Sequence, residues 1–318
     1  MAHVTGTAAT LTSFVDQLLT AVTANGWTMF RDDPGNGIVE FNLGRHCISL
    51  RWEVATPTSL AIYQSLGFTA GNDPGDHYGD SGGGAVGSTA ATLVTGRGIH
   101  GLVEPFVAHD IFIGDDYVHV CLEHDAGRFR HFGWGVLKTE SDMWEGGEYC
   151  YGQVALESGS SPTSTSMSHL LDSCYTTSDR HAATVLGLGI TPTANTWWRV
   201  CTRTTAGDVG DRNGPGTRAR IIGMSRGGLA QRNFMWIPFT PRDGEFFPMA
   251  TQSVWDIRID TDMLISPWGH TPDLGMLNIV NVTPGTVVTV GGDRWKMFPA
   301  VYKDSASTGN LGVAYRIR

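Results

Sequence analysis

Two serines stand in settings that could support nucleophilic chemistry. Gly223-Met224-Ser225-Arg226-Gly227 fits the G-x-S-x-G pattern, and the β-rich run 218–222 precedes it as a nucleophile elbow requires. A hydrolase built on Ser225 would take its acid from Asp256, Asp260 or Asp262 and its base from His270, the sole histidine downstream. The surroundings argue against it: residues 228–234 begin on glycine and are too few for a good helix, no alternating βα pattern flanks them, and no HGGG-type oxyanion segment lies upstream. The second setting is Gly79-Asp80-Ser81-Gly82-Gly83, the GDSGG loop of chymotrypsin-like proteases, with His46-Cys47 as the histidine pair. Only 35 residues separate His46 from Ser81, far too few for the barrel that holds such a triad, so a glycine loop is the better reading. The expectation is a protein without catalytic residues.

Ligand sets are equally sparse. His119, Cys121 and Glu123 alternate along one strand face, and His109-Asp110 precede them, but this linear series lacks a metal-site spacing. Asp73, Asp76 and Asp80, or Asp208, Asp211 and Asn213, could gather round calcium, yet neither run continues to the bidentate glutamate of an EF-hand. Turn chemistry explains both runs, and no metal or other cofactor is expected. Trp197-Trp198 and Trp268 could stack on a host surface glycan; packing in a core or an interface is the plainer role.

Composition narrows the class. Glycine accounts for 41 of the 318 residues, nearly twice its usual share, while charged residues reach only 17% against about 25% in an average soluble protein. Such a chain has many turns and few solvated helical faces. A net charge of −9 argues against a dedicated nucleic-acid binder, and the basic residues between Arg212 and Arg232 read as surface or subunit contacts. No run reaches the roughly 18 apolar residues that span a bilayer, and no basic flank leads into an apolar signal core, so a soluble, unprocessed chain is expected. Cysteines 47, 121, 150, 174 and 201 are odd in number and scattered, without a C-x-x-C pair. Reduced, buried thiols suit them, and suit assembly in a bacterial cytoplasm.

The elements that must position these residues are mostly strands. One amphipathic helix is predicted near the N-terminus: Leu11, Phe14, Val15, Leu18, Leu19 and Val22 recur at three- and four-residue spacing, Thr10 can cap the start, and Asn25-Gly26 can end it. Its polar face is not basic, so it is expected to dock on protein, with Leu18 at the contact. Residues 38–43 and 46–54 flank Gly44-Arg45 as a hairpin, and residues 117–122 and 129 onward flank Asp125-Ala126-Gly127 as another. Residues 71–88 read as a long exposed loop. Short β-rich runs follow at 197–202, 218–223, 234–239, 255–259, 286–290 and 294–301, each bounded by Gly, Pro or Asp. The fold class is therefore mainly β, a sandwich or barrel-like arrangement with one short N-terminal helix. The Ser/Thr-rich stretch 157–168 is a linker candidate, dividing a domain of residues 1–156 from one of residues 169–318; a single intertwined β domain is the other arrangement.

Residues 128–152, RFRHFGWGVLKTESDMWEGGEYCYG, interleave aromatic rings with glycines, a pattern of shape rather than chemistry. The R-F-x-H-x-G-x-G core at Arg128, Phe129, His131, Gly133 and Gly135, with Gly146-Gly147 beyond it, resembles the middle of a class of tail-associated and other bacteriophage virion structural proteins. The opening AATLTSFVDQLLTAVTANGWTMFRD, a short helix followed by Gly-Trp and an arginine, is similar to the start of such proteins, and the closing DRWKMFPAVYKDSASTGNLGVAYRIR to their last strand pair. The resemblance implies a virion structural protein, tail-associated in the tail, baseplate or tail tip. It would form homo-oligomers and contact other virion proteins, with Leu18, Trp134, Trp144, Trp295, Phe298 and Tyr315 as candidate interface residues. Alternatives are a capsid decoration or receptor-binding module and, from another class, the Ser225 hydrolase.

Overall fold

A computed structural model describes residues 1–74, 76–77, 97–140, 145–152, 183–188, 196–199, 217–221, 250–258, 264–279, 282–300 and 311–317. The described chain is mostly strand, in three antiparallel sheets with one α-helix, as the β-rich runs predicted. Strands are numbered β1 to β19 along the chain.

The helix α1, Leu11–Thr23, forms where the apolar spacing placed it. Thr10 accepts a hydrogen bond from the Ser13 amide while the Ser13 hydroxyl reaches back to Thr10, a capping box that satisfies two otherwise orphaned donors. Past the C-terminal end, Gly26 takes φ of 95°, which lets the chain turn back into Trp27. Leu11, Phe14, Val15, Leu18, Leu19, Ala21 and Val22 are all buried, so the whole stripe is docked within the chain.

The five-stranded sheet runs β2 (Thr28–Asp33), β3 (Ile38–Leu43), β4 (His46–Trp52), β5 (Ser59–Ser65), β6 (Arg97–His100), in sequence order. Its β3–β4 hairpin pairs Leu43 with His46 across Gly44-Arg45, and Gly44 at φ of 58° supplies the turn. Just beyond β5 the loop departs from expectation. His77 is 5% exposed and its Nε2 lies 2.7 Å from the buried Glu40 carboxylate, so this part of the glycine-rich stretch is anchored in the core.

The central sheet has the order β1 (Ala2–Ala8), β7 (Phe106–Ile113), β8 (Tyr117–Asp125), β9 (Arg128–Val136), β11 (Glu145–Gly152), β12 (Ala183–Leu188), β13 (Thr196–Arg199). The C-terminal sheet has the order β14 (Thr217–Ile221), β15 (Ala250–Arg258), β16 (Leu264–Asn278), β19 (Leu311–Ile317), β18 (Asp293–Pro299), β17 (Val287–Val290), and β10 (Lys138–Thr139) also pairs with β16. Strand order thus interleaves the two halves of the sequence: β12 and β13, from beyond residue 168, extend the central sheet, and β10, from before it, joins the C-terminal sheet. The linker candidate 157–168 and the run 234–239 lie outside the described residues.

Alternation along the central strands explains the layering. Val118, Val120 and Leu122 of β8, Phe132 and Trp134 of β9 and Ile111 and Ile113 of β7 face α1 and the five-stranded sheet, forming one apolar core with Leu18, Phe41 and Trp52. The alternate residues, Tyr117, His119 and Cys121 of β8 and His131 of β9, face the C-terminal sheet and are buried too. From β7 to β11 the central sheet is therefore covered on both faces. Its first face is apolar and its second is aromatic and ionisable.

Candidate functional site

The second face of the central sheet gathers the most chemically capable side chains among those described. It grows from strand periodicity: residues two apart on β8, β9 and β11 point the same way, so Tyr117, His119, Cys121, His131, Tyr149 and Tyr151 form one layer. From across the gap β19 adds Tyr315 and β18 adds Lys296 and Phe298. Glycines make the room. A Cβ on Gly133 would lie 2.9 Å from the Tyr151 ring and overlap the Val118 carbonyl oxygen, and one on Gly135 would overlap Tyr117. The R-F-x-H-x-G-x-G core is thus one strand face: Phe129 packs on Phe298, His131 meets Tyr315, and the two glycines seat tyrosine rings.

The two histidines are held alike. His119 Nε2 sits 2.9 Å from the Pro272 carbonyl oxygen and His119 Nδ1 2.8 Å from the Tyr151 hydroxyl. His131 Nε2 sits 2.8 Å from the Pro299 carbonyl oxygen and His131 Nδ1 2.6 Å from the Tyr315 hydroxyl. A carbonyl only accepts, so each Nε2 must carry the proton; the Tyr151 and Tyr315 hydroxyls, which also bond each other, share two protons among that contact and the two Nδ1 atoms. Burial, which penalises the cation, lowers both histidines to about 4, although the proline carbonyls pull the other way. Burial likewise raises the Tyr149, Tyr151 and Tyr315 phenols well above their usual range, and the Cys121 thiol with them. At neutral pH the layer is uncharged at its centre.

Charges close its ends. Asp110 accepts from His3 at 2.6 Å and from Lys296 at 2.5 Å. Asp273, with an unusual left-handed φ of 53°, accepts from the Tyr117 hydroxyl and, at 3.1 Å, from Arg316. Burial pushes the Asp273 carboxyl up, but those two hydrogen bonds and the nearby Lys138 and Arg316 charges outweigh it and hold it below the usual carboxylate value. Asp116 close by moves the opposite way, raised by burial and by Asp115. Arg316 also bridges to Asp293 at 2.5 Å. These pairs tie β8, β16, β18 and β19 together at the sheet ends.

The candidate interface residues fall inside this framework. Leu18 and Trp134 are wholly buried in the apolar core, Tyr315 and Phe298 in the layer between sheets, and Trp295 on the opposite face of the C-terminal sheet beside Met297 and Leu277. Trp144 lies outside the described residues. So do Ser225, Ser81, Asp80, Asp260, Asp262 and the 208–213 run. His270 hydrogen-bonds Glu140 at 2.9 Å, and His46, buried at the start of β4, bonds Gln64 at 2.8 Å. His119 and Cys121 do share a face, but both ring nitrogens of His119 are committed, and among the described residues no three ligand-type side chains gather round a metal position. His109 and Asp110 diverge: His109 turns under α1 against Phe14, and Asp110 turns to the layer. Asp73 instead pairs with Arg31 at 3.7 Å. Cys47, Cys121 and Cys150 are buried free thiols, as scattered cysteines suggested.

Sequence reasoning found the strand face of His119 and the R-F-x-H-x-G-x-G core but not their meeting with Tyr315, Lys296 and Asp273. Polar alternation opposite an apolar face, His119 and Cys121 against Val118, Val120 and Leu122, ordinarily marks a strand with one solvated face, so nothing local to β8 announces that its second face is covered too. Compared with known proteins, the chain matches no family model and no curated sequence.

Proposed function

We propose that this chain is a structural subunit of a bacteriophage particle, tail-associated, which works by contact with copies of itself and with neighbouring virion proteins. The observation that carries the reading is how the three virion-like segments pack. The opening segment meets β9 through Phe14 on Phe132 and Trp27 on Trp134, and the closing segment meets it through Phe298 on Phe129 and Tyr315 on His131. Segments far apart in sequence thus build one unit around β9, the strand of the R-F-x-H-x-G-x-G core. The residues of the likeness are spent on internal packing, as a scaffold requires. Contacts with neighbours then fall to the surface: the exposed Phe30, Val54, Val103, Val107 and Val287, and the strands β1, β2 and β17, each paired on one side only among the described residues.

Mass spectrometry of purified particles tests the reading. The chain is expected at a fixed multiple of the other virion proteins, and antibody labelling is expected on the tail. Absence from purified particles overturns the proposal, and labelling confined to the capsid surface transfers it to the decoration reading.

A further inference from the structure

Within the apolar core between the central and five-stranded sheets, four buried polar atoms keep company with one another. The indole nitrogens of Trp27 and Trp134, Nδ1 of His46 and Oε2 of Glu148 are closed off from solvent, and none has a hydrogen-bond partner among the described residues. Their side chains form a closed circuit of contacts. Trp27, just past α1, has its ring 5.8 Å from that of His46 and 6.0 Å, edge-on, from that of Trp134. Trp134 on β9 pairs with Cys150 on β11, so Glu148, two residues along, is its diagonal neighbour on the same face, with Cα atoms roughly 7–8 Å apart. Arg45, which precedes His46, bonds Glu148 Oε1 and so returns the circuit to its start.

The chemistry of the four atoms defines what they can hold. Each indole nitrogen only donates. His46 Nε2 lies 2.8 Å from the Gln64 amide nitrogen, a donor, so Nε2 accepts and Nδ1 carries the ring proton. Glu148 Oε2, on the carboxylate that Arg45 holds, accepts. An anion in this circuit would meet the Glu148 carboxylate, and a cation would meet three N–H groups and the Arg45 guanidinium. A small neutral molecule that both accepts and donates suits all four atoms, and water is that molecule.

We propose that Trp27, His46, Trp134 and Glu148 form a sealed hydration site, in which roughly one or two waters accept from the indole and imidazole N–H groups and donate to Glu148 Oε2. The diagonal from Trp134 to Glu148 is too long for a direct hydrogen bond and suits one water between them. The Arg45–Glu148 pair is the outer wall: the Arg45 side chain is 51% exposed and that of Glu148, behind it, 4%. Leaving buried donors unmade costs more than holding such a water, so the water ties β9 and β11 of the central sheet to β4 of the five-stranded sheet. The site does not depend on whether the chain belongs to a virion.

Indole N–H resonances make the site visible in the full chain. With isotope-labelled tryptophan, the Trp27 and Trp134 signals are assigned by their loss in Trp27→Phe and Trp134→Phe. Each is then read for a water NOE in the laboratory and rotating frames, where a bound water gives opposite signs and hydrogen exchange gives the same sign. Both indoles are expected to show the bound-water pattern, and in Glu148→Leu, where the water loses its acceptor, the signal is expected to fall severalfold at both. Absence of the bound-water pattern at either indole in the wild type, or an undiminished signal in Glu148→Leu, overturns the site. So does a shift of either indole resonance on titration with bromide, which would make the occupant an anion. If Glu148→Leu does not fold, the wild-type pattern and the bromide titration decide.

Discussion

At Gly133 a side chain has nowhere to go, because the Val118 carbonyl and the Tyr151 ring occupy the space a Cβ would take. Gly133→Ala is expected to lower stability by about 3 kcal/mol, since relieving the overlap means moving strand backbone or a buried ring. Gly35, in the short 3-10 turn Pro34–Asn36, offers the contrast: nothing lies within 4 Å of its Cβ position, and Gly35→Ala is expected to be neutral or to stabilise by about 0.5 kcal/mol. Urea unfolding of the two variants checks both. A second expectation at this scale concerns Ser225, whose sequence surroundings lack both the βα context and an oxyanion segment: purified protein should not react with a fluorophosphonate probe. Stoichiometric labelling lost in Ser225→Ala would promote the hydrolase. The glycine-aromatic pattern was legible as packing because a missing side chain beside a ring has few other uses. The histidine roles were not, because a histidine's partner is fixed by the strand opposite, here 153 residues away for Pro272 and 168 for Pro299.

Helix α1 shows what an element owes to local sequence. Thirteen residues are too few for an isolated helix to persist in water, so its cap defines where it starts and its buried stripe keeps it folded. Thr10→Ala is expected to cost about 1 kcal/mol by removing the cap, and Leu18→Asp about 4 kcal/mol or more by placing a charge in a wholly buried site. Thermal melts that leave Leu18→Asp like wild type would refute the docking. Both helix ends and the two hairpins at Gly44 and Gly127 were legible, since each depends on a handful of adjacent residues. Strand partners across sheets were not: nothing local to β10 shows that it leaves β9 to pair with β16, or that β12 continues the central sheet. The last two strands are an intermediate case. The described β18 pairs with β19 from Arg294 with Ile317 to Pro299 with Gly312, and β19 is flanked on its other side by β16. Deleting residues 312–318 therefore opens two strand edges and removes Tyr315, and the truncated chain is expected to aggregate on expression, as a solubility assay would show.

For the molecule as a whole, a sheet covered on both faces fixes how stability depends on pH. His46, His119, His124 and His131 are buried neutral, lowered by burial to about 3 for His46 and to about 4 for the other three. In the unfolded chain the same rings titrate near 6.5. Between those values the unfolded state binds more protons than the folded one, so stability is fully present above about pH 7 and falls as pH drops through 6.5 toward 4. By pH 5 each of the four rings is expected to have cost roughly 2 kcal/mol, and a sum of that size consumes much of the 5–15 kcal/mol that holds an ordinary domain together. Among the carboxylates Asp273, held low, loses its own contribution only at still lower pH, and Asp116, raised by burial, is a single group working against four rings. Unfolding near pH 5 should therefore take up protons, whereas unfolding at pH 8 should not. Calorimetry in buffers of different ionisation enthalpy measures that uptake directly. Three to four protons per chain are expected at pH 5, and an uptake of zero there would mean that the rings are already charged, or already reached by water, in the folded protein.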